Sequence, residues 1–373
     1  PCVGPDRSTR ESKPLTCVAP TQKPDGDKRG RPDSARTESA RGRSSRPKPG
    51  PKDLLEGIRT SDRTALARGI TLVESTLPDD REAASELVES CLPFSGNSIR
   101  IGVTGVPGAG KSTFIESLGG YLTGRGLKVA VLAVDPTSSL SKGSILGDKT
   151  RMNTLSRDER AFIRPSPAGT SLGGVTRKTR ETISLCEAAG YEVILIETVG
   201  VGQSETAVHG MVDFFLLLKI AGAGDELQGI KRGIVEMADA IVINKADGAN
   251  REAARRARST FEQALHLYPP KPDGWRPEVL LCSSTEHTGI EAIWDLIDKF
   301  REKGRKTGAF QKKREQQYTA WFRQAVSEQL LSGFYEIPGV GPAYDELEQQ
   351  VVARRTSPFR AAQQLLDQFG PKR

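Results

Sequence analysis

The chain has 373 residues, of which 54 are Lys or Arg and 47 are Asp or Glu, giving a formal net charge of +7. Residues 1–52 hold 13 basic and 6 acidic residues, so the remaining chain has equal numbers of each sign. The basic pI is therefore poor evidence that the folded part binds nucleic acid. The five cysteines and three histidines are scattered without metal-ligand spacing. This pattern argues against a disulfide framework or a zinc site, and no run reaches the ~20 apolar residues of a membrane span.

Residues 1–52 contain nine prolines and no Phe, Trp or Tyr. Such a segment buries too little apolar surface to offset its ordering entropy, so a disordered basic tail is predicted. It has no apolar run of signal-peptide length, and its acidic residues and prolines argue against a transit peptide. Without aromatic side chains it lacks a stacking platform for bases, which favours a solvated linker over a nucleic-acid arm.

The rest of the chain is predicted to form an α/β domain between two helical segments. Residues 53–95 show apolar positions at helical spacing, which indicates two or three amphipathic helices. Residues 96–305 alternate apolar runs with helical patterns, as expected for a mostly parallel sheet covered by helices. Residues 306–373 read as helices. The predicted strands are 98–103, 128–134, 161–163, 193–196, 213–220, 240–243 and 279–282, and the predicted C-terminal helices are 290–301, 311–331, 344–354 and 357–369.

Residues 105–113 read G-V-P-G-A-G-K-S-T between a predicted strand and a helical pattern. This is the context that a phosphate-binding loop requires, since its glycines let backbone N–H groups point at phosphate oxygens. Lys111 is expected to contact the β- and γ-phosphates, and Ser112 to offer its hydroxyl to Mg²⁺. A nucleoside triphosphate is therefore predicted to contact Gly105, Val106, Pro107, Gly108, Ala109, Gly110, Lys111, Ser112 and Thr113.

Asn244-Lys245-Ala246-Asp247 directly follows the predicted strand 240–243. The Asp247 carboxylate can accept both N1–H and N2–H of guanine, a pairing that adenine cannot supply. Lys245 would lie over the base plane, and Asn244 would tether the phosphate loop. A site built to pair with specific donors rejects an analogue that lacks them, so GTP is predicted rather than ATP.

Ser283, Ser284 and Thr285 follow the last predicted strand. They are placed to supply backbone donors to guanine O6. The alternative is an ordinary strand-to-helix turn in which the hydroxyls cap the next helix. The sequence leaves both interpretations open.

Two acidic residues stand at the carboxyl ends of predicted strands, the edge where ligands of open α/β sheets bind. Asp135 follows the strand 128–134, and Glu197 follows the strand 193–196. Mg²⁺ prefers a few hard oxygen ligands together with water and substrate phosphates. Ser112, Asp135 and Glu197 therefore form the predicted metal site, and helix capping is the alternative role for each acid.

Glu197-Thr198-Val199-Gly200 stands where many GTPases have Asp-x-x-Gly. Gly200 is accordingly predicted to donate its N–H to the γ-phosphate. The following residue is Val201, whose isopropyl group cannot orient the attacking water as the Gln of Ras-like proteins does. Gln203 is two positions further along. Intrinsic hydrolysis is therefore expected to be slow and to need help from a partner or a mobile segment.

Taken together, the motifs resemble the MeaB/ArgK family of G proteins, the GTPase chaperones of adenosylcobalamin-dependent acyl-CoA mutases. The matching strings are G-V-P-G-A-G-K-S-T, V-D-P-T-S-S, G-S-I-L-G-D-K-T-R-M, E-T-V-G-V-G-Q-S-E, A-G-A-G-D-E-L-Q-G-I-K-R-G-I and I-N-K-A-D. The resemblance implies an α/β P-loop GTPase fold with N- and C-terminal helical extensions. It assigns catalytic or switch roles to Lys111, Asp148, Glu197 and Lys231, with Lys231 in the segment that responds to the mutase.

The resemblance also implies partners. Adenosylcobalamin would be carried by the client enzyme, with methylmalonyl-CoA mutase as the default, and the chain would form a homodimer through its C-terminal helices. Trp321, Phe322, Leu330, Leu331 and Phe334 could line that interface or pack on their own domain. The cysteine pattern predicts a reducing compartment, the cytoplasm or, in a eukaryotic source, the mitochondrial matrix.

Two other functions share this fold class. A nickel-insertion GTPase needs clusters of Cys and His ligands, and the sequence has none at suitable spacing. A kinase or ATPase linked to basic amino-acid transport would use ATP, against which Asp247 in its N-K-A-D motif argues. A mutase-associated GTPase is the favoured prediction.

Overall fold

The computed structural model of the chain describes residues 49–134, 152–165, 172–198, 204–222 and 232–370. The predicted disordered tail, residues 1–52, lies outside these residues except for 49–52. Pro51 and Lys52 belong to the first helix, so the predicted tail extends two residues too far. Six residues with predicted roles also lie outside them, namely Asp135, Asp148, Gly200, Val201, Gln203 and Lys231.

Within the described residues, seven parallel strands form one sheet in the order β3-β2-β4-β1-β5-β6-β7. The strands are β1 (Ile99–Gly105), β2 (Val129–Val134), β3 (Ala161–Arg164), β4 (Val193–Thr198), β5 (Phe214–Ile220), β6 (Ala240–Asn244) and β7 (Glu278–Leu281). Strands β1, β2, β4 and β6 are buried along their whole length. This burial explains the continuous apolar runs of the sequence, because parallel strands are covered by helices on both faces. The predicted α/β fold with a parallel sheet is confirmed.

The strand order reverses at β1. From β1 the chain moves to β2 and β3 on one side, returns through β4, and then continues with β5, β6 and β7 on the other side. Ligands of open α/β sheets bind at such a reversal of strand order. In register, Val103 of β1 pairs with Glu197 of β4, and Gly105 pairs with Leu218 of β5.

Helices cover both faces of the sheet. They are α1 (Pro51–Arg59), α2 (Arg63–Glu74), α3 (Arg81–Cys91), α4 (Lys111–Gly124), α5 (Leu172–Ala188), α6 (Ser204–His209), α7 (Arg232–Met237), α8 (Arg251–His266), α9 (Ile290–Thr307), α10 (Ala309–Tyr335), α11 (Val340–Val352) and α12 (Pro358–Phe369). Helices α1 to α3 pack with α5 on one face, where Ile58, Leu66 and Leu87 join a core that includes Ile194 and Phe215. Helices α4 and α9 cover the opposite face.

The long helix α10 docks its first half on the amino-terminal edge of the sheet through polar groups. Arg314 is 3% exposed; its Nε and Nη2 lie 2.9 and 2.7 Å from the two carboxylate oxygens of Asp213. Nη2 also donates to the carbonyl of Ser98 at 2.7 Å. One and two turns later, the side chains of Gln317 and Trp321 donate to main-chain carbonyls before β5. The attachment of α10 therefore depends on buried hydrogen bonds as well as on apolar packing.

The five apolar residues predicted to line an interface or to pack on their own domain differ in exposure. Trp321 packs on its own domain, where its indole N–H bonds to the carbonyl of Gly210 at 3.0 Å. Phe322, Leu330 and Leu331 are 59–70% exposed. Phe334 lines an apolar groove of about 1040 Å³ formed by α10, α11 and α12. The second half of α10 thus presents an apolar surface.

His209, at the end of α6, is a half-buried histidine with a lowered pKa. Its ring meets Phe215 edge-on with centroids 5.4 Å apart. Its pKa is lowered from 6.5 to about 4, chiefly by burial and also by Lys313 and Lys271, while Asp239 acts in the opposite direction. The folded protein therefore holds this imidazole neutral at pH values where an unfolded chain would protonate it.

Stability is expected to fall as the pH is lowered from 7 to 5. Between pH 6.5 and 4 the unfolded chain binds a proton at His209 that the folded chain does not, which costs about 2 kcal/mol at pH 5. A His209→Gln variant should lose that part of the pH dependence. Urea unfolding of both proteins at pH 7 and pH 5 measures the difference, and an equal decrease in both would contradict the assignment.

Candidate nucleotide site

The phosphate-loop motif connects β1 to α4, and its backbone requires glycine at two crowded positions. Gly105 has φ 152° and Gly110 has φ 85°. A Cβ atom on Gly105 would lie 2.4 Å from the carbonyl oxygen of Leu218, and one on Gly110 would lie 2.8 Å from the side-chain nitrogen of Asn244. The loop is therefore packed tightly between β5 and the N-K-A-D segment.

Lys111 begins α4 and folds back over the loop. Its Nζ donates to the carbonyl of Gly105 at 2.9 Å and lies 3.4 Å from that of Val106. The ammonium group therefore stands beside the N-terminus of α4, where the helix dipole also favours an anion. A lysine at this place in a phosphate loop is the residue expected to contact the terminal phosphates of a nucleotide.

Ser112 and Glu197 meet at the carboxyl ends of β1 and β4. The Ser112 hydroxyl donates to the Glu197 carboxylate at 3.2 Å, and both side chains are buried. A hydroxyl and a carboxylate are hard oxygen donors of the type that Mg²⁺ accepts. The third predicted ligand, Asp135, follows β2 outside the described residues. Among the residues that the structure does describe, no group of three or more His, Cys, Asp or Glu side chains could hold a metal ion.

Asn244, the first residue of the N-K-A-D motif, connects the phosphate loop to the Ser-Ser-Thr loop after β7. Its Nδ2 donates to the carbonyl of Ala109 at 2.9 Å. Its Oδ1 accepts the Ser284 hydroxyl at 2.8 Å and the Ser284 N–H at 3.3 Å. Asn244 is 1% exposed, so these bonds form out of water. The sequence predicted the first contact, whereas the bonds to Ser284 are an additional finding.

Asp247 lies beside the loop after β7. One of its carboxylate oxygens accepts the hydroxyl of Ser283 and lies 3.4 Å from that of Thr285. Lys245 has φ 59°, and its carbonyl accepts the side chain of Asn250 at 2.7 Å. These contacts hold the N-K-A-D turn and the Ser-Ser-Thr loop together. The described members of the predicted site therefore gather at the carboxyl ends of β1, β4, β6 and β7.

Some polar contacts around the site had no signal in the sequence. Glu116 of α4 accepts the N–H groups of Thr154 and Leu155 at 2.8 and 3.2 Å, which fixes the short 3-10 helix Leu155–Arg157. Ser117, the next residue, is hydrogen bonded to His287. Isolated Glu, Ser and His residues occur throughout the chain, so their pairing becomes visible only once the helices and loops are placed.

A protein-family model described as methylmalonyl-CoA mutase-associated GTPase MeaB matches residues 66–338. The chain belongs to the MeaB family. Like other members it is a GTPase, and it is 50% identical over 283 residues to GTPase ArgK of Escherichia coli, which covers 76% of this chain and 86% of that protein. The family-model match includes every described residue of the candidate site.

Two further relatives agree with membership of the MeaB family. The mitochondrial methylmalonic aciduria type A homolog of Mus musculus is 46% identical over 326 residues, covering 85% of this chain and 79% of that protein. The crystal structure of a LAO/AO transport system kinase is 41% identical with a TM-score of 0.68, covering 85% of this chain and 96% of that one. The predicted family and the P-loop GTPase fold are thus confirmed. No helix of the described residues has the length and apolar character needed to cross a membrane.

Proposed function

We propose that this MeaB-family GTPase gates the delivery of adenosylcobalamin to a cobalamin-dependent acyl-CoA mutase, or protects the cofactor there. Methylmalonyl-CoA mutase is the first candidate client. The observation that carries the proposal is the match of residues 66–338 to a family whose description names that association. The mouse relative, named for methylmalonic aciduria, supports it. Adenosylcobalamin belongs to the client in this scheme.

The nucleotide site is proposed to bind GTP and GDP with the base against Asp247 and the phosphates over the loop 105–113. Lys111 would neutralise charge on the terminal phosphates, and Lys245 would cover the base plane. Mg²⁺, when bound, would be held by Ser112, Glu197 and Asp135 and would offset the charge that develops on the transferred phosphate. The buried oxygens of Ser112 and Glu197, 3.2 Å apart, support this assignment.

Hydrolysis is proposed to be slow in the isolated protein and faster in the presence of the client. Val201 follows the Glu-Thr-Val-Gly string at the position where Ras-like proteins use Gln to orient water. Asp148 and Lys231 are proposed as the residues through which switch movements and the client promote hydrolysis. GTP would order the switch segments, and loss of the γ-phosphate would release them.

A homodimer is proposed to form through the C-terminal helices, as the family resemblance implies. Phe322 and Leu330 are 70% and 69% exposed, and Phe359 is 89% exposed. The groove of about 1040 Å³ between α10, α11 and α12 is lined almost entirely by apolar groups. A surface of this kind is rare on monomers and suits a second copy of the same helices.

The second candidate is a kinase or ATPase linked to basic amino-acid transport. The name of the LAO/AO transport system kinase, 41% identical, favours it. The Asp247 carboxylate argues against this second candidate. The carboxylate can accept the N1–H and N2–H groups of guanine, and adenine cannot supply that pairing. Competition of ATP and GTP for the purified protein separates the two candidates, since equal affinities would support the kinase.

Capture of a mutase from native cell extract tests the proposal. We expect the immobilised protein to retain a cobalamin-dependent acyl-CoA mutase in different amounts with GDP and with a non-hydrolysable GTP analogue. Lys111→Ala should abolish that difference, whereas Lys299→Ala, at an exposed position on α9, should not. Lys231→Ala should keep nucleotide binding but lose stimulation of hydrolysis by the purified mutase. Capture of no mutase with either nucleotide would refute the client assignment.

A further inference from the structure

A hydrogen bond joins the helix after the phosphate loop to the loop after β7. The Ser117 hydroxyl oxygen of α4 and the Nδ1 atom of His287 are 2.6 Å apart, although 170 residues separate them in sequence. Ser117 is 4% exposed, so its hydroxyl is removed from bulk water, while His287 lies at the protein surface. A short bond to a buried hydroxyl therefore attaches an exposed loop residue to α4.

The loop that contains His287 is closed at its base and attached at its other end to the N-K-A-D segment. Ser283 and Thr288 exchange two backbone hydrogen bonds of 3.1 Å, which close a short hairpin over residues 284–287. Ser283 and Ser284 then bond to Asp247 and Asn244. His287 attaches the opposite side of the same hairpin to α4. The hairpin is thus fixed between the base-contacting segment and the phosphate-binding helix.

The backbone of His287 adopts a conformation that is unfavourable in free energy. Its φ is 56°, in the left-handed region that L-residues other than Gly rarely occupy. His, Asn and Asp are the side chains found there most often. In this conformation the ring reaches Ser117, so the hydrogen bond offsets part of the backbone cost.

We infer that Ser117 and His287 are positioning residues for the guanine base. Their bond fixes Ser283, Ser284 and Thr285 at a set distance from the phosphate loop, so that the backbone donors meet guanine O6 while the phosphates occupy the loop. The inference rests on the proposed assignment of those three residues to O6. Neither Ser117 nor His287 touches the nucleotide in this scheme.

Removing either partner should speed the release of GDP. Ser117→Ala deletes the hydroxyl, and His287→Gly deletes the ring while keeping the left-handed backbone accessible. Each should raise the dissociation rate of a fluorescent GDP about three- to tenfold, the range expected for one lost hydrogen bond. His287→Asn should retain a rate near that of the parent protein, because Asn tolerates this φ and carries a polar atom where His has Nδ1. The double variant Ser117→Ala/His287→Gly should be no faster than the faster single variant.

Comparison of GDP with inosine diphosphate separates an effect at guanine O6 from an effect at the 2-amino group. Both bases carry O6, but inosine lacks the 2-amino group that pairs with Asp247. Ser117→Ala and His287→Gly should therefore weaken both nucleotides by the same factor and leave their ratio unchanged. Thr123→Val is the matched control, since it removes another buried hydroxyl of α4 at the end far from the loop. It should lower the melting temperature without changing the release rate.

The outcomes distinguish this inference from the proposed guanine site. If Asp247→Asn leaves the preference for GDP over inosine diphosphate intact, the guanine site itself is wrong. If that preference is lost while Ser117→Ala and His287→Gly release GDP at the parent rate, the guanine site stands and the positioning role is refuted. A release rate raised equally in Thr123→Val would also overturn the inference, because it would trace the effect to the stability of α4.

Discussion

Asp247→Asn is expected to lower the affinity for GTP by roughly 100-fold or more and to create an affinity for xanthosine triphosphate. The amide nitrogen of Asn would face the N2–H donors of guanine, which leaves buried donors without acceptors. Xanthine carries a carbonyl at that position, so the same amide can donate to it while the amide oxygen accepts N1–H. Direct titration of the purified variant with fluorescent analogues of both triphosphates measures the two affinities.

The existing contacts of Asp247 indicate that this substitution leaves the stability of the fold nearly unchanged. The carboxylate already accepts hydroxyls from Ser283 and Thr285, and an Asn oxygen can accept them too. The melting temperature of the nucleotide-free variant should therefore remain within a few degrees of the parent. Ser283→Ala, which removes one of those hydroxyls but keeps the carboxylate, should retain the preference for GTP. A folded Asp247→Asn protein that binds neither nucleotide, or that binds GTP unchanged, would show that the base is recognised elsewhere.

The strands could be predicted from the sequence because burial on both faces leaves continuous apolar runs. Their ends could not. The structure extends β1 by two residues beyond the predicted end, since Thr104 and Gly105 pair with Leu217 and Leu218 of β5. A threonine followed by the first glycine of the loop reads locally as the start of a turn. Tertiary pairing, which carries the sheet up to the phosphate loop, decides the boundary.

The nucleotide site could be predicted from the sequence where a motif specifies the position of its residues in the fold. The contact of Asn244 with Ala109, across 135 residues, follows from two motifs that each end a strand at the same edge of the sheet. The partners of Glu116 and Ser117 on α4 were not predictable. A Glu or Ser on a helix is usually a solvent-facing residue, and only the placement of the 3-10 helix Leu155–Arg157 and of His287 gives them their roles.

The polar contacts that dock α10 were the feature of the fold that the sequence predicted least well. The sequence suggested an apolar stripe, whereas the first half of the helix buries Arg314 and Gln317 at 3% and 7% exposure. Charged and amide side chains are rarely buried, so the pattern favours solvent exposure at these positions. Their acceptors, Asp213 and the carbonyl of Val212, lie about a hundred residues earlier in the chain. The residues close to Arg314 and Gln317 in sequence give no indication of such a distant partner.

Arg314→Met is expected to lower the free energy of unfolding by about 3–5 kcal/mol, the effect of breaking a buried ion pair by removing one partner. Asp213 would keep its charge in a buried position, where it is 1% exposed, and would retain the N–H of Arg100 as a donor. The carbonyls of Gly96 and Ser98 would also lose the guanidinium that now donates to them. Urea unfolding at pH 7, followed by circular dichroism, gives the difference directly.

Two further variants distinguish the effect of an unpaired buried charge from the effect of losing a long side chain. Arg258→Met breaks the exposed pair of Arg258 with Glu262, whose side chains are 48% and 40% exposed, so it should cost less than about 0.5 kcal/mol. Asp213→Asn combined with Arg314→Met removes both charges and should recover part of the loss, since a neutral amide can still accept the N–H of Arg100. If Arg314→Met were no more destabilising than Arg258→Met, the first half of α10 would not be held by this pair, and its apolar contacts would have to account for the docking.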